Sequence, residues 1–245
     1  MRKLSESRRG LILVTGMTGS GKTSTLAAMV DHINKTRAGH ILTLEDPIEF
    51  IHNDNRSVIS QLELGTDTLS YTGALRAAMR QDPDVILIGE LRDPEVIKAA
   101  VSAAETGQLV LGTMHTVNVI QTITRLVDAF PTEHHEQARA QLSDLLRGIV
   151  CQRLLPTLQE NMRPALEIMV STPQVRKLIL EGRNSDLYKQ IQTGEFYGMN
   201  TFDQALAKLY KDGIIDMDTA ASAATSQDAI MLAVRGVTDS LEAAQ

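Results

Sequence analysis

Apolar and polar positions follow two different periods along the first 115 residues of the chain. Short apolar runs, of the length of buried strands, alternate with longer segments in which apolar residues recur every three to four positions, as on one face of a helix. The predicted strands are LILVT (11–15), HILTLE (40–45), VILIG (85–89) and QLVLGTM (108–114). Strands that alternate with helices are typical of a mostly parallel sheet with helices on both faces. The pattern therefore predicts an α/β fold with a doubly wound sheet.

Two helices in this part of the chain are well marked. The helix that follows the third predicted strand has Asp93 at its predicted N-cap, Pro94 in its first turn and Gly107 just past its end, which are preferred residues at these positions. The helix that follows the first predicted strand covers residues 22–35, and its apolar face comprises Leu26, Met29, Val30 and Ile33.

The strand pattern fades in the last third of the chain. Residues 172–245 are predicted to form short helices, one of which covers residues 201–210. The apolar stripe of that helix comprises Phe202, Ala205, Leu206 and Leu209. We therefore predict two parts, an α/β core over residues 1–158 and a small helical C-terminal region over residues 159–245.

Composition narrows the class of protein. With 43% hydrophobic residues, 22% charged residues and a net charge of −6, the chain is typical of a globular protein. No apolar run approaches the roughly 18 residues of a spanning helix, so no direct membrane insertion is predicted. The acidic balance and the 3% aromatic content argue against a nucleic-acid partner. The single cysteine, Cys151, cannot build a disulfide framework within the chain.

A glycine-rich segment after the first predicted strand carries the strongest functional signal. GMTGSGKTSTL (16–26) matches the phosphate-loop pattern GxxxxGK[ST], and a strand and a helix flank it as the motif requires. In this motif Lys22 reaches the β and γ phosphates of a nucleotide, and the Thr23 hydroxyl binds Mg²⁺. The predicted nucleotide-binding residues are Gly16, Met17, Thr18, Gly19, Ser20, Gly21, Lys22, Thr23 and Ser24.

Hydrolysis needs a further acidic element at the end of a neighbouring strand. Glu90 follows the strand 85–89 and is the predicted base that activates water. Gly89 stands before it, where many P-loop proteins carry the metal-side aspartate. The metal-side role must therefore come from another segment, and LEDPIEF (44–50) offers three acids after a strand: Glu45, Asp46 and Glu49.

A histidine follows the fourth predicted strand. His115 ends QLVLGTMHT, at the sheet edge where the phosphates would lie. An imidazole at this position could donate a hydrogen bond to the γ-phosphate and so report its presence. We therefore include His115 among the predicted catalytic residues.

The chain resembles the secretion-type ATPases in four motifs that occur in the same order. These are a Walker A segment (GMTGSGKTSTLAAM), an Asp box (ILTLEDPIEFIH), a Walker B segment (PDVILIGELRD) and a His box (AAETGQLVLGTMHT). RLVDAFP and MNTFDQAL are similar to the pilus-retraction branch of that superfamily, the PilT/PilU type. The resemblance covers nearly the whole chain.

The resemblance implies a RecA-like core with a helical C-terminal region, a homo-hexameric ring and ATP hydrolysis that drives type IV pilus disassembly for twitching motility. It implies a cytoplasmic location at the inner face of the cell membrane, at the pilus base, with an inner-membrane platform protein as partner. It also implies that Lys22 and Thr23 hold phosphate and Mg²⁺, that Glu49 supports the metal and that Glu90 is the catalytic glutamate. His115 would be the second histidine of the His box.

The sequence departs from this family in three places. Gln108 stands where the family has the first His-box histidine, and STPQVRKLILEG (171–182) matches a retraction-linked helix only in part. The sequence also begins about ten residues before the P-loop strand. The family has an N-terminal PAS-like domain there, which brings arginines to the nucleotide site, so we expect the ring and rapid turnover to need such a domain.

The sequence also bears on three other functions. The extension and type II secretion branch usually carries a tetracysteine zinc module, which one cysteine cannot form. A nucleic-acid motor is disfavoured by the charge and the low aromatic content. A non-hydrolysing or weakly active accessory subunit of a pilus or secretion ATPase ring remains the alternative, because the arginines of an N-terminal domain would be missing.

Overall fold

Seven strands form one sheet in a computed structural model that describes residues 1–235. Residues 236–245, the end of the predicted helical region, lie outside the described residues. The sheet order is β3-β2-β4-β5-β1-β6-β7. The strands are β1 Gly10–Gly16, β2 Gly39–Glu45, β3 Ser57–Glu63, β4 Val85–Ile88, β5 Leu109–Met114, β6 Leu146–Pro156 and β7 Met162–Val170.

Helices connect the strands and follow the last of them. In the first part they are α1 Arg2–Ser5, α2 Lys22–Thr36, α3 Tyr71–Ala78, α4 Pro94–Glu105, α5 Val119–Asp128 and α6 His135–Leu145. After β7 they are α7 Pro173–Glu181, α8 Asn184–Gln192, α9 Phe202–Lys211, α10 Met217–Ala223 and α11 Gln227–Arg235. Among residues 1–235, no helix combines the length and the apolar character needed to cross a membrane.

The sheet is parallel except at one edge. The pairs from β3 through to β6 are all parallel, and only β7 runs antiparallel to its neighbour β6. Parallel strands align their carboxyl ends, so the loops that follow β1, β2, β4 and β5 meet at one edge of the sheet. The predicted α/β fold class, with a helical region after the sheet, is confirmed.

Both faces of the sheet are buried, and the central strand β1 shows why. Leu11 and Leu13 contribute to one apolar cluster, whereas Ile12 and Val14 contribute to another on the opposite face. Helix α2 covers the second face with the predicted stripe that includes Leu26 and Ile33, while α3 to α6 contribute to the first cluster. Strands buried on both faces read as continuous apolar runs, which is why the sequence revealed β1.

The four predicted strands are confirmed as β1, β2, β4 and β5, but three further strands were missed. The edge strand β3 (SVISQLE) is polar and mostly half-exposed, so it has no apolar run to recognise. From Ala165 onward, strand β7 alternates buried and half-buried positions, and a buried Glu167 interrupts its apolar face.

The boundary predicted at residue 158 falls between β6 and β7, which pair in the same sheet. Residues 159–245 were predicted to be helical, but they begin with the strand β7, and the helices after it start at Pro173. The prediction was wrong because β7 is a half-buried edge strand, and such a strand lacks the continuous apolar run of a central strand. The division into two domains stays a prediction.

The helices after β7 pack onto the sheet. Phe202 at the start of α9 is 1% exposed and is among the largest fully buried side chains of residues 1–235. The Arg153 guanidinium of β6 lies 3.9 Å from the centre of its ring, a cation–π geometry. Thr201 and Gln204 form a capping box that fixes the start of α9. The sheet and the C-terminal helices therefore meet at Phe202.

Candidate functional site

The glycine-rich loop lies between β1 and α2, at the carboxyl edge of the sheet. Gly16, Gly19 and Gly21 have φ values of +145°, +78° and +85°, which side chains with a Cβ rarely adopt. At Gly16 a Cβ would collide with the Gln152 carbonyl oxygen and lie 2.6 Å from the Ser20 Oγ. The loop therefore requires glycine at this position, as the phosphate-loop pattern predicts.

The start of α2 is arranged to receive an anion. Within the described residues, no side chain caps its N-terminus, and no acid lies in its first turn. Its free N–H groups and the positive end of the helix dipole point into the loop. Residues 16–24, all predicted to bind nucleotide, form this loop and the first turn of the helix.

The Lys22 ammonium group folds back over the loop. Its Nζ donates to the carbonyl oxygens of Gly16, at 3.0 Å, and Met17, at 3.1 Å. Burial lowers the pKa of Lys22, and the charges of Glu90 and Glu49 oppose that shift. The cation is thus held between the loop and two carboxylates, which matches the role of a phosphate-binding lysine.

The Thr23 hydroxyl donates to a carboxylate of the segment after β2. Its Oγ1 lies 3.2 Å from Glu49 Oε1. Glu45, another of the three candidate acids, is buried and accepts hydrogen bonds from Thr43 at 2.8 Å and Gln61 at 3.2 Å. Asp46 is exposed, and it lies at the rim of the cavity that the glycine-rich loop and Glu49 also line. Of these three acids, Glu49 is therefore the one bonded to Thr23.

The pair Thr23 and Glu49 fits a magnesium ion. A hydroxyl and a carboxylate are the hard oxygen ligands that Mg²⁺ prefers, and the remaining positions are usually taken by water and substrate phosphates. Within residues 1–235 there is no group of three His, Cys, Asp or Glu side chains that could hold a metal without such help. The geometry thus suits a metal that arrives with its nucleotide.

Glu90 and His115 are brought together by two neighbouring strands. Glu90 follows β4 and His115 follows β5, and these strands are parallel and adjacent. His115 Nε2 lies 3.0 Å from Glu90 Oε1. Arg92 Nε lies 2.6 Å from the other oxygen, Glu90 Oε2, and this hydrogen bond raises the pKa of Arg92. Both oxygens of Glu90 are therefore oriented by side chains on the site.

These groups share one cavity of about 630 Å³. Arg92 and Tyr71 line it as well, and the sequence analysis assigned no role to either. Burial raises the pKa of Tyr71 to about 12, and the charge of Asp46 adds to the shift. The predicted site residues that line the cavity are Thr18, Gly19, Gly21, Lys22, Thr23, Ser24, Glu49, Glu90 and His115, whereas Gly16, Met17 and Ser20 do not.

A buried glutamine supports the loop from below. Gln152 of β6 is 3% exposed, and its Nε2 donates to the Ser20 carbonyl oxygen at 3.1 Å. Gln152 was not predicted from the sequence, because nothing in the local pattern of β6 distinguishes a residue that supports the loop from a polar residue of the core. The one feature that could have pointed to Gln152 is its polar side chain within a strand that flanks β1.

Gln108 lies away from this cavity. It precedes the amino end of β5, whereas His115 follows the carboxyl end. Its Oε1 accepts a hydrogen bond from the Thr106 hydroxyl at 2.6 Å, and its carbonyl oxygen accepts one from Gly10. Gln108 is therefore not among the residues that line this cavity.

Gly89 leaves little room for a side chain such as the aspartate that many P-loop proteins carry at this position. A Cβ there would lie 3.2 Å from Leu44 O and from the Cα of Glu45, both backbone atoms of β2. We predict that Gly89→Ala lowers the free energy of unfolding by roughly 1–3 kcal/mol, because the strands must move apart. Urea unfolding measures this change. An unchanged midpoint would show that β2 yields without cost.

The fold and the glycine-rich loop place the chain in the P-loop class of α/β proteins. It belongs to the type II/IV secretion system protein family, whose model matches residues 1–227. The predicted resemblance to this superfamily is thereby confirmed.

Its relatives include proteins of pilus retraction. The chain is 48% identical over 230 residues to a twitching motility protein of Neisseria gonorrhoeae. These matched residues make up 94% of this chain and 62% of the relative. It is 47% identical over 219 residues to the type IV pilus retraction ATPase PilT of Pseudomonas aeruginosa. These matched residues make up 89% of this chain and 64% of that protein. The chain thus spans less than two thirds of the length of these relatives.

A solved structure agrees with this assignment. The crystal structure of the pilus retraction motor PilT with bound ADP superposes with a TM-score of 0.88 at 45% identity, over 93% of this chain and 64% of that chain. The ATPase DotB of Legionella pneumophila matches with a TM-score of 0.82 at 29% identity, over 90% of this chain and 61% of that chain.

Proposed function

We propose that this chain is the motor part of a type IV pilus retraction ATPase, which couples ATP hydrolysis to pilus disassembly and so to twitching motility. The observation that carries the proposal is the position of Glu90, which lines the same cavity as the phosphate-loop residues Lys22 and Thr23. A carboxylate there suits the activation of water beside a bound γ-phosphate. The similarity to retraction ATPases supplies the biological context.

Binding of ATP rests on the loop and the start of α2. The N–H groups of the loop and of the first turn of α2 that line the cavity would surround the phosphates, and Lys22 would exchange its two carbonyl acceptors for phosphate oxygens. Thr23 and Glu49 would hold Mg²⁺, Thr23 directly and Glu49 in support. The ion would neutralise charge on the β and γ phosphates during transfer.

Hydrolysis rests on Glu90. Its carboxylate takes the proton of the attacking water, and His115 and Arg92 fix the direction of its two oxygens. His115 is 40% exposed in its side chain and faces the cavity, so its ring can exchange Glu90 for a phosphate oxygen. We infer that His115 senses whether the γ-phosphate is present.

Glu49→Gln should raise the Mg²⁺ concentration needed for half-maximal ATP turnover by about tenfold, because a neutral amide holds the ion or its water less strongly. ATPase rates across a magnesium titration measure the shift. The matched control is Asp46→Asn, an exposed acid at the rim of the same cavity. A larger shift in the control than in Glu49→Gln would assign the metal-side role to Asp46.

We further propose that the active form is a homo-hexameric ring at the inner face of the cell membrane, at the pilus base, with an inner-membrane platform protein as its partner. The similarity to pilus retraction and secretion ATPases supports this assembly. Sedimentation velocity with and without ATP and Mg²⁺ tests for the ring. Because we expect the ring to need an N-terminal PAS-like domain, the chain is compared alone and fused to such a domain from a relative, and a fusion that stays monomeric with nucleotide at high concentration would contradict the ring.

The function is tested in the organism that encodes the chain. We expect deletion of the gene to leave long, non-retracting pili and no twitching zone, and the parent gene to restore retraction of fluorescently labelled pili. Complementation by a gene that encodes Glu90→Gln should fail. Normal retraction in the deletion strain would reject the retraction role, and normal retraction with Glu90→Gln would favour the non-hydrolysing accessory subunit.

A further inference from the structure

Strand β7 carries a carboxylate where its neighbours are apolar. Glu167 is 3% exposed, and the flanking positions on the same face of the strand, Ala165 and Met169, are 1% and 0% exposed. A charge buried in this way is costly unless hydrogen bonds replace its water. The position therefore needs a specific set of donors, and the structure supplies them.

One donor is a backbone N–H group at the start of a helix. Glu167 Oε1 accepts a hydrogen bond from the N–H of Val119, the first residue of α5, at 2.7 Å. The backbone of Phe202, the first residue of α9, also acts to lower the pKa of this carboxyl. Helix N-termini attract anions through their free donors and their dipoles. The Glu167 carboxylate thus joins β7 to the start of α5.

Burial raises the pKa of the Glu167 carboxyl, and the Val119 N–H and the charge of Arg153 oppose the shift. Asp203, which is 4% exposed, adds a second buried carboxylate that raises the same pKa. Tyr188 donates its hydroxyl to Asp203 at 3.4 Å. The carboxylate of Glu167 is thus part of a buried polar cluster that lies between β6, β7 and the C-terminal helices.

Helix α5 begins four residues after His115. Three contacts tie the loop at residues 115–118 to α5 itself: Asn118 caps Gln121 N at 2.8 Å, Gln121 Oε1 accepts from Val117 N at 2.8 Å, and the Thr116 and Thr122 hydroxyls lie 2.6 Å apart. These contacts make the loop and the first turn of α5 one rigid unit. The Glu167 bond fixes that unit to the sheet.

We propose that Glu167 is a positioning residue for the nucleotide site, which it serves by anchoring the start of α5 and thereby holding His115 beside Glu90. The inference rests on the proposed ATPase function. The connection is short, because His115, whose Nε2 lies 3.0 Å from Glu90 Oε1, belongs to the loop that the Glu167 bond to Val119 holds.

The matched control is Asp203→Asn. Asp203 belongs to the same buried cluster, but it accepts from Thr225 N at 2.8 Å and so anchors the segment before α11 rather than α5. Both variants replace a buried carboxylate by an amide of the same shape. A general loss of stability should therefore appear in both, whereas a loss of His115 positioning should appear in Glu167→Gln alone.

Hydrogen exchange of the 245-residue chain tests the anchor without any need for catalysis. Glu167→Gln should speed exchange of the amides of residues 116–119 by about ten- to a hundredfold, since the Val119 N–H loses a charged acceptor. Asp203→Asn should speed exchange at Thr225 and leave residues 116–119 unchanged. Equal exchange of residues 116–119 in the parent and in Glu167→Gln would overturn the proposal.

A kinetic cycle with His115 tests the route to the active site. Glu167→Gln should lower kcat about tenfold with the KM for ATP unchanged, because the positioning acts on the chemical step rather than on binding. In a His115→Ala background the same change should alter kcat by less than about twofold, since the group that it positions is gone. Full additivity of the two substitutions would overturn the route through His115.

The two proposals fail in different ways. A parent chain that binds nucleotide without hydrolysing it would reject the ATPase function, and the exchange experiment would still decide whether Glu167 anchors the loop. Normal turnover together with unaltered exchange in Glu167→Gln would reject the positioning role and leave the ATPase function standing.

Discussion

Glu90→Gln is expected to reduce kcat for ATP by about 10²- to 10⁴-fold and to leave nucleotide affinity nearly unchanged. Glutamine keeps the shape of the side chain, but its amide cannot take the proton of the attacking water. The two carboxylate oxygens of Glu90 lie 3.0 Å from His115 Nε2 and 2.6 Å from Arg92 Nε. A glutamine of the same shape can occupy this place without a large movement of either neighbour. The loss should therefore fall on the chemical step.

Steady-state phosphate release and equilibrium binding of a fluorescent ADP analogue measure the two quantities separately. The matched control is Glu105→Gln, an exposed glutamate at the end of α4. It should leave both quantities unchanged. Turnover by Glu90→Gln at the parent rate would place the base elsewhere, and Glu49, which bonds to Thr23, would then be the next residue to substitute.

Lys22→Ala is expected to weaken nucleotide affinity by about a hundredfold or more and to remove turnover with it. The ammonium group makes charge-assisted hydrogen bonds to phosphate, which are the strong kind in proteins. Its substitution leaves the cavity with the carboxylates of Glu49 and Glu90 and without the ammonium charge that they act on. The anion would then meet repulsion as well as the loss of a donor.

Lys35→Ala is the control for this experiment. Lys35 lies on the same helix and pairs with Asp31 at 2.8 Å in an exposed i,i+4 arrangement, so its loss changes the charge of the chain by the same amount. Isothermal titration with ADP and Mg²⁺ compares the two variants. Affinity that falls equally in both would mean that long-range charge, and not the contact at the loop, governs binding.

The pH dependence of binding gives a further check on Lys22. Burial lowers its pKa, so the free site loses its cation at a lower pH than an exposed lysine would. ADP affinity should therefore fall as the pH rises through the lowered pKa of Lys22. The Lys22→Ala variant should lack this fall, which separates it from titration of the nucleotide or of other residues.

The sequence determined the elements whose signal is local. The phosphate loop was recognisable because a left-handed backbone demands glycine at fixed spacing and because a strand and a helix must flank it. The strands β1, β2, β4 and β5 were predicted because burial on both faces produces continuous apolar runs. The positions of Glu90 and His115 after two such strands followed directly from these runs.

Only the tertiary structure decided how the polar groups pair. Three acids lie at or just after the end of β2, and the sequence pattern alone does not rank them. The course of the chain after β2 brings Glu49 to Thr23, whereas Glu45 is buried within the strand and bonded to Thr43. Strand order makes β4 and β5 neighbours, and that adjacency sets the contact of Glu90 with His115.

Two of the three missed strands have the same explanation. Strand β3 is a half-exposed edge, and β7 carries Glu167, whose charge breaks the apolar period. The buried carboxylate is stabilised by the N–H at the start of α5, which is distant in sequence. Such donors are assembled by packing, and a pattern along the chain records which residues prefer burial but not which distant backbone groups will meet them.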